Sequence, residues 1–132
     1  MRIAYVDGAS RGNPGASAFG VRIVDEDGVE VDRFGGFLGL QTNNYAEYRG
    51  LIAALEWAAS RGVDALEVRS DSQLMVRQML GQYRVKSATL RPLWEQACTL
   101  AGGLGRFRIV HLGREHNVEA DSLANEILDR NA

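Results

Sequence analysis

The hydrophobic period of this chain changes once, near residue 42, and that change restricts the fold more than any other feature. Before it, Phe19, Val21 and Ile23 alternate with Gly20, Arg22 and Val24, the two-residue period of a strand with one face buried. After it, Tyr48, Leu51, Ile52, Leu55 and Ala59 recur at helical spacing. A strand meander followed by helices and further strands is an α/β pattern, with helices packed on a sheet.

The remaining elements follow from turn and cap chemistry. Ile3 to Asp7 is an apolar run ending in an acid and Gly8, which reads as a strand entering a turn. Asp25 to Gly28 is a turn, after which Val29, Val31 and Arg33 to Leu38 resume extended character. The first helix is expected from Tyr45 to Arg61, with Asn44 as N-cap, Glu47 completing a capping box and Gly62 at C′. Ala65 to Ser70 is a strand, and Asp71 to Leu80 a short helix stopped near Gly81. Leu90, Leu93, Trp94, Ala97, Cys98 and Ala101 form one apolar stripe, so a helix starts near Thr89 with Pro92 in its first turn. Gly102 to Gly105 ends it, Phe107 to Leu112 is the last strand and Val118 to Arg130 the last helix. The order is βββ-α-β-αα-β-α.

At 132 residues, 45% hydrophobic and 24% charged, the chain is expected to form one domain spanning 1–132. No apolar run approaches the roughly 20 residues that cross a bilayer, so no membrane association is expected. Cys98 is the sole cysteine, which excludes an internal disulfide framework and a multi-cysteine zinc site; a cytoplasmic location is expected. No long apolar stripe is left for a partner once the core is assigned, so a monomer without an obligate protein partner is expected. The net charge of −2 conceals an asymmetry. Ser72 to Arg114 carries seven cations and only Glu95, while the rest of the chain is acidic. That polarity permits a basic face beside an acidic one.

Four acids hold particular positions. Asp7 ends the first strand, Glu47 lies in the first turn of the first helix, Asp71 follows the fourth strand, and Asp121 opens the last helix. Singly, each has an ordinary explanation: an Asx turn, a capping box, an N-cap and a helix-dipole partner. Together they sit at strand ends and helix starts, which tend to gather along one edge of a sheet. Clustered carboxylates repel one another unless cations neutralise them. Hard divalent ions with oxygen ligands, Mg²⁺ or Mn²⁺, meet that need and support two-metal phosphoryl chemistry.

The local sequences around these acids carry a resemblance. Asp7-Gly8-Ala9-Ser10-Arg11-Gly12-Asn13-Pro14-Gly15, Thr42-Asn43-Asn44-Tyr45-Ala46-Glu47-Tyr48, Ser70-Asp71-Ser72-Gln73 and Asn117-Val118-Glu119-Ala120-Asp121-Ser122-Leu123-Ala124 resemble the four signature blocks of type 1 ribonuclease H, in the family order. The resemblance covers essentially the whole chain. It implies a mixed five-stranded sheet, three antiparallel strands then two parallel, with helices on both faces. It also implies a metal-dependent endoribonuclease that hydrolyses the RNA strand of RNA/DNA hybrids, leaving 3′-hydroxyl and 5′-phosphate ends. Asp7, Glu47, Asp71 and Asp121 would be its catalytic carboxylates, holding Mg²⁺ or Mn²⁺, two ions per site with substrate. Gly12, Asn13, Thr42, Asn43, Asn44 and Gln73 would contact the hybrid, whose 2′-hydroxyls distinguish RNA from DNA.

The chain departs from the family pattern at two places. Many members carry a histidine in a loop before the last helix. Counting back from Asp121 places it at His111, whereas matching the strand end and the Gly-Arg pair places Arg114 there, as in the short-loop subgroup ending Arg-Glu-x-Asn-x-x-Ala-Asp. Arg114 is the preferred auxiliary residue. His116 is the nearest titratable alternative, and His111 is expected to act through strand packing. The segment Gly81 to Ala88 is also too short for the basic handle of some members and holds just two cations, Arg84 and Lys86. Hybrid affinity is therefore expected to rest more on Arg77, Arg84, Lys86, Arg91 and the Asn/Gln set. A catalytically silent nucleic-acid-binding module of the same fold is the competing reading. It offers no reason to keep four mutually repelling acids.

Overall fold

The computed structural model describes residues 1–132. Its elements are β1 (Arg2–Gly12), β2 (Gly15–Val24), β3 (Glu30–Gln41), α1 (Asn43–Ser60), β4 (Ala65–Ser70), α2 (Gln73–Met79), α3 (Arg91–Gly102), β5 (Arg106–His111) and α4 (Val118–Arg130). A single 3₁₀ turn, Arg114–His116, precedes α4. The strands form one sheet in the order β3-β2-β1-β4-β5. β1, β2 and β3 are antiparallel, and β4 and β5 run parallel to β1. Element order, strand directions and class all match the expectation.

Alternation along β1 sends its side chains to two different neighbours. Ala4, Val6 and Gly8 face α1, where they join Val21, Ile23, Leu51, Leu55 and Val68 in the core. Tyr5 and Asp7 face the other side, where α4 packs across β1, β2 and β3. Both helices approach unusually closely, and glycine permits it. A Cβ on Gly8 would lie 2.4 Å from the backbone of Ala46 and Glu47, and one on Gly20 only 2.3 Å from the carbonyl of Ala120. Behind α1, the Tyr48 hydroxyl donates to Gln78 Oε1 at 2.6 Å, tying α1 to α2 through a buried polar pair. No helix is long and apolar enough to cross a membrane.

Three local expectations are corrected. β1 does not end at Asp7 but stays paired with β2 through Gly12↔Gly15, so Asp7 sits in mid-strand opposite Gly20. The first N-cap is Thr42, whose hydroxyl accepts from the Tyr45 N–H, and Asn44 lies inside the first turn. There is accordingly no capping box, and Glu47 is free for another partner. The second helix is capped by Ser72 and starts at Gln73, after Asp71.

Candidate active site

Each of the four acids arrives on a different element. Asp7 comes from the middle of β1, Glu47 from the second turn of α1, Asp71 from the residue after β4, and Asp121 from the first turn of α4. The β1–β4 pairing ends at Val6↔Ser70, which sets Asp7 beside Asp71. The close seat of α1 on Gly8 brings Glu47 to the same point. Asn117 fixes the fourth element: buried, it donates from Nδ2 to the Val6 carbonyl at 2.8 Å, anchoring the start of α4 to β1.

Carboxylate oxygens of Asp7, Glu47 and Asp71 lie within 4.8 Å of one another. Asp121 lines the same cavity of about 470 Å³, together with Asn43, Asn44 and Arg114. Asp7 is 5% exposed and Glu47 8%. Backbone and hydroxyl donors hold Glu47: Gly8 N–H at 2.8 Å to Oε1 and Ser70 Oγ at 3.4 Å to Oε2. Asn125, one turn after Asp121, donates to its carboxylate at 3.2 Å. None of the four acids forms a salt bridge with an arginine or lysine.

Electrostatics follow from this arrangement. Burial pushes the Asp7 carboxyl well above the ordinary carboxylate range, and the negative neighbours Glu47 and Asp71 push it further. Burial also raises Glu47, partly opposed by its hydrogen bonds from Asp7 and the Gly8 N–H. Without a cation the pair therefore retains a proton that isolated carboxylates would lose. The donor set is all oxygen and its charge is uncompensated, which fits a hard divalent cation. Asp7, Glu47 and Asp71 are the residues that could hold it, with Asp121 adjoining.

The other sequence-derived positions divide. Asn43 and Asn44 line the cavity, and Asn13 supports them by accepting from the Asn43 N–H at 3.1 Å. Thr42 caps α1, and Gly12, at φ +110°, makes the turn into Asn13. Gln73 and His111 lie outside the cavity, in a groove between α2 and β5. His111 is exposed at the strand end, so it has no packing role there. His116 is exposed and lines a separate cavity with Tyr5 and Leu112, not the carboxylate cavity. Arg84 and Lys86 are exposed between α2 and α3 and do not line the cavity. Ser70, Ser72, Asn117 and Asn125 support the site without having been singled out for it. Ser70, Ser72 and Asn117 belong to the signature blocks, and the signal of Asn125 is its one-turn spacing from Asp121.

Residues 5–127 match a family model described as reverse transcriptase-like. The chain is 48% identical over 126 residues to ribonuclease HI of Halobacterium salinarum, covering 96% of this chain and 63% of that protein. It is 41% identical over 128 residues to a bifunctional protein of Mycobacterium tuberculosis, covering 96% of this chain and 35% of that one. The chain thus spans less than two thirds of either relative. The crystal structure of RNase H1 from Halobacterium salinarum superposes with a TM-score of 0.94 at 46% identity, covering 98% of both chains. That of LC11-RNase H1 in complex with RNA/DNA hybrid gives 0.94 at 40% identity, covering 99% of both.

Proposed function

Because this chain belongs to the ribonuclease H family, we propose that it is a metal-dependent endoribonuclease that hydrolyses the RNA strand of RNA/DNA hybrids. The products are 3′-hydroxyl and 5′-phosphate ends. One observation carries the reading: four carboxylates converge, two of them buried, with no arginine or lysine paired to any of them. A catalytically silent module gains nothing from that repulsion. Residues 1–132 act as one catalytic domain, monomeric and cytoplasmic.

Asp7, Glu47, Asp71 and Asp121 hold Mg²⁺, or Mn²⁺ in its place, two ions per site with substrate. When bound, the ions supply the Lewis acidity that activates the attacking water and offsets charge on the leaving 3′ oxygen. The chain does the rest. The Gly8 N–H and Ser70 fix the direction of Glu47, and Asn125 fixes Asp121, so the ligand oxygens are oriented before substrate arrives. Asn43 and Asn44 offer amide donors and acceptors at the cavity rim, suited to 2′-hydroxyls and base edges in the minor groove. Asn13, Gly12 and Thr42 set the backbone that presents them. Gln73, Arg84 and Lys86 extend the contact along the duplex. Arg114, at the cavity wall, carries a permanent positive charge. It orients the scissile phosphate through charge-assisted hydrogen bonds and cannot shuttle a proton.

The test uses a hybrid labelled at the 5′ end of its RNA strand. Cleavage in Mg²⁺ that leaves 3′-hydroxyl ends, absent in EDTA and absent on single-stranded RNA, supports the reading. Binding without cleavage in Mg²⁺ and in Mn²⁺ refutes it.

A further inference from the structure

α4 packs on β1, β2 and β3 and not on β4 and β5, so that part of the sheet face stands open beside the carboxylates. By alternation and register this open face presents Tyr5 from β1, Glu67 and Arg69 from β4, and Arg106 and Arg108 from β5. A cavity of about 520 Å³ lies over it, walled by Tyr5, Glu67, Arg69, Arg108 and His116 among others.

The arginines here differ in how firmly they are held. Glu67 is buried, and it accepts from Arg69 Nε at 2.6 Å and lies 3.5 Å from Arg108 Nε. Arg69 also donates from Nη1 to the Tyr5 hydroxyl at 2.9 Å and stacks on its ring. Both guanidiniums thus meet the buried carboxylate through Nε, and no hydrogen bond engages the terminal Nη donors of Arg108. Its side chain is 69% exposed. Arg106, two residues earlier on the same face, forms no ion pair and is exposed. Three guanidiniums answer to one acid. Planar guanidinium forks with unengaged donors suit phosphate oxygens.

We propose that this open face is a binding platform for the phosphodiester backbone of the RNA strand, beyond the scissile bond. The occupant follows from position. Tyr5 precedes Asp7 by two residues on the same strand and the same face, a rise of about 7 Å. Arg69 precedes Asp71 by the same interval. The RNA strand is the occupant because the platform adjoins the carboxylates at which that strand is cut, and its arginines complement phosphate charge. The inference rests on the reading above for its substrate, but its binding test needs no catalysis.

Binding is measured by fluorescence anisotropy in EDTA, over a series of salt concentrations. The probes are a six-base-pair hybrid, the same hybrid with its RNA strand extended by six nucleotides at one end or the other, and the same with its DNA strand extended. Wild type is expected to gain affinity, about tenfold or more, from an RNA extension at one end only. The Arg106→Ala/Arg108→Ala double variant loses that gain, and its salt slope on the extended probe flattens by about two. Arg61→Ala, which removes a single charge at the far end of α1, keeps both. The proposal is overturned if the double variant keeps the gain, if it weakens the unextended hybrid equally, or if a DNA extension gives the same gain. Lost binding of an acidic peptide with unchanged hybrid binding overturns it in favour of a protein partner. Cleavage is scored separately in Mg²⁺: an inactive wild type that shows the platform behaviour refutes the catalytic reading alone.

Discussion

Asp7→Asn is expected to abolish cleavage and at the same time stabilise the metal-free fold. The substitution keeps shape and hydrogen-bonding capacity, and it removes one of two buried charges that lack a cationic partner. Burial and neighbouring acids raise both Asp7 and Glu47 in the folded state. The folded protein therefore holds protons that the unfolded chain releases, and wild-type stability falls as pH rises above the ordinary carboxylate range of about 4. A proton retained about two pH units beyond that range corresponds to roughly 3 kcal/mol. The variant escapes much of that penalty, so the two proteins melt together near pH 4 and diverge toward pH 8. For a domain of this size the gap amounts to about 10 °C. Differential scanning calorimetry in EDTA at pH 4, 6 and 8 measures it. The reasoning fails if the variant melts at or below wild type at pH 8, or if the gap is the same at every pH.

Three further outcomes are expected. Thr42→Ala loses the N-cap of α1 and about 0.5–2 kcal/mol of stability, whereas Asn44→Ala leaves the melting temperature unchanged and weakens hybrid binding; calorimetry and anisotropy separate the two. Gly8→Ala places a methyl 2.4 Å from the backbone of Ala46 and Glu47, so it destabilises by about 1–3 kcal/mol and lowers turnover by displacing Glu47, checked by denaturant unfolding and single-turnover cleavage. Arg114→Ala lowers turnover with no ionisation lost from the pH–rate profile, while His111→Ala and His116→Ala leave that profile unchanged. A rate-controlling ionisation near pH 6.5 that vanishes with either histidine would falsify the role given to Arg114.

Much of this site was legible because its chemistry is written in short blocks at element boundaries. The period change near residue 42 places α1, and α1 carries Glu47 wherever its cap lies. The cap itself was misplaced by two residues, since Thr42 and Asn44 are both competent and only the backbone at Thr42, φ −90° and ψ 164°, selects one. The length of β1 was hidden for a similar reason. Gly8 reads as the start of a turn, yet it is there for the approach of α1, and the turn is made at Gly12. The role of Glu67 left only Arg69, two residues on, as a local trace. Its partner Arg108 is 41 residues away and meets it only through the parallel pairing of β4 with β5.

The central claim is that Asp7, Glu47 and Asp71, with Asp121 beside them, form a cation site whose negative charge the protein leaves uncompensated. Titration of Mn²⁺ into the protein without nucleic acid, followed by calorimetry in two buffers of different ionisation enthalpy at pH 7, tests it most directly. The prediction is saturable binding accompanied by proton release in wild type, with both lost in Asp7→Asn and Asp71→Asn. Binding that survives in both variants, or a wild type that takes up no ion, contradicts it.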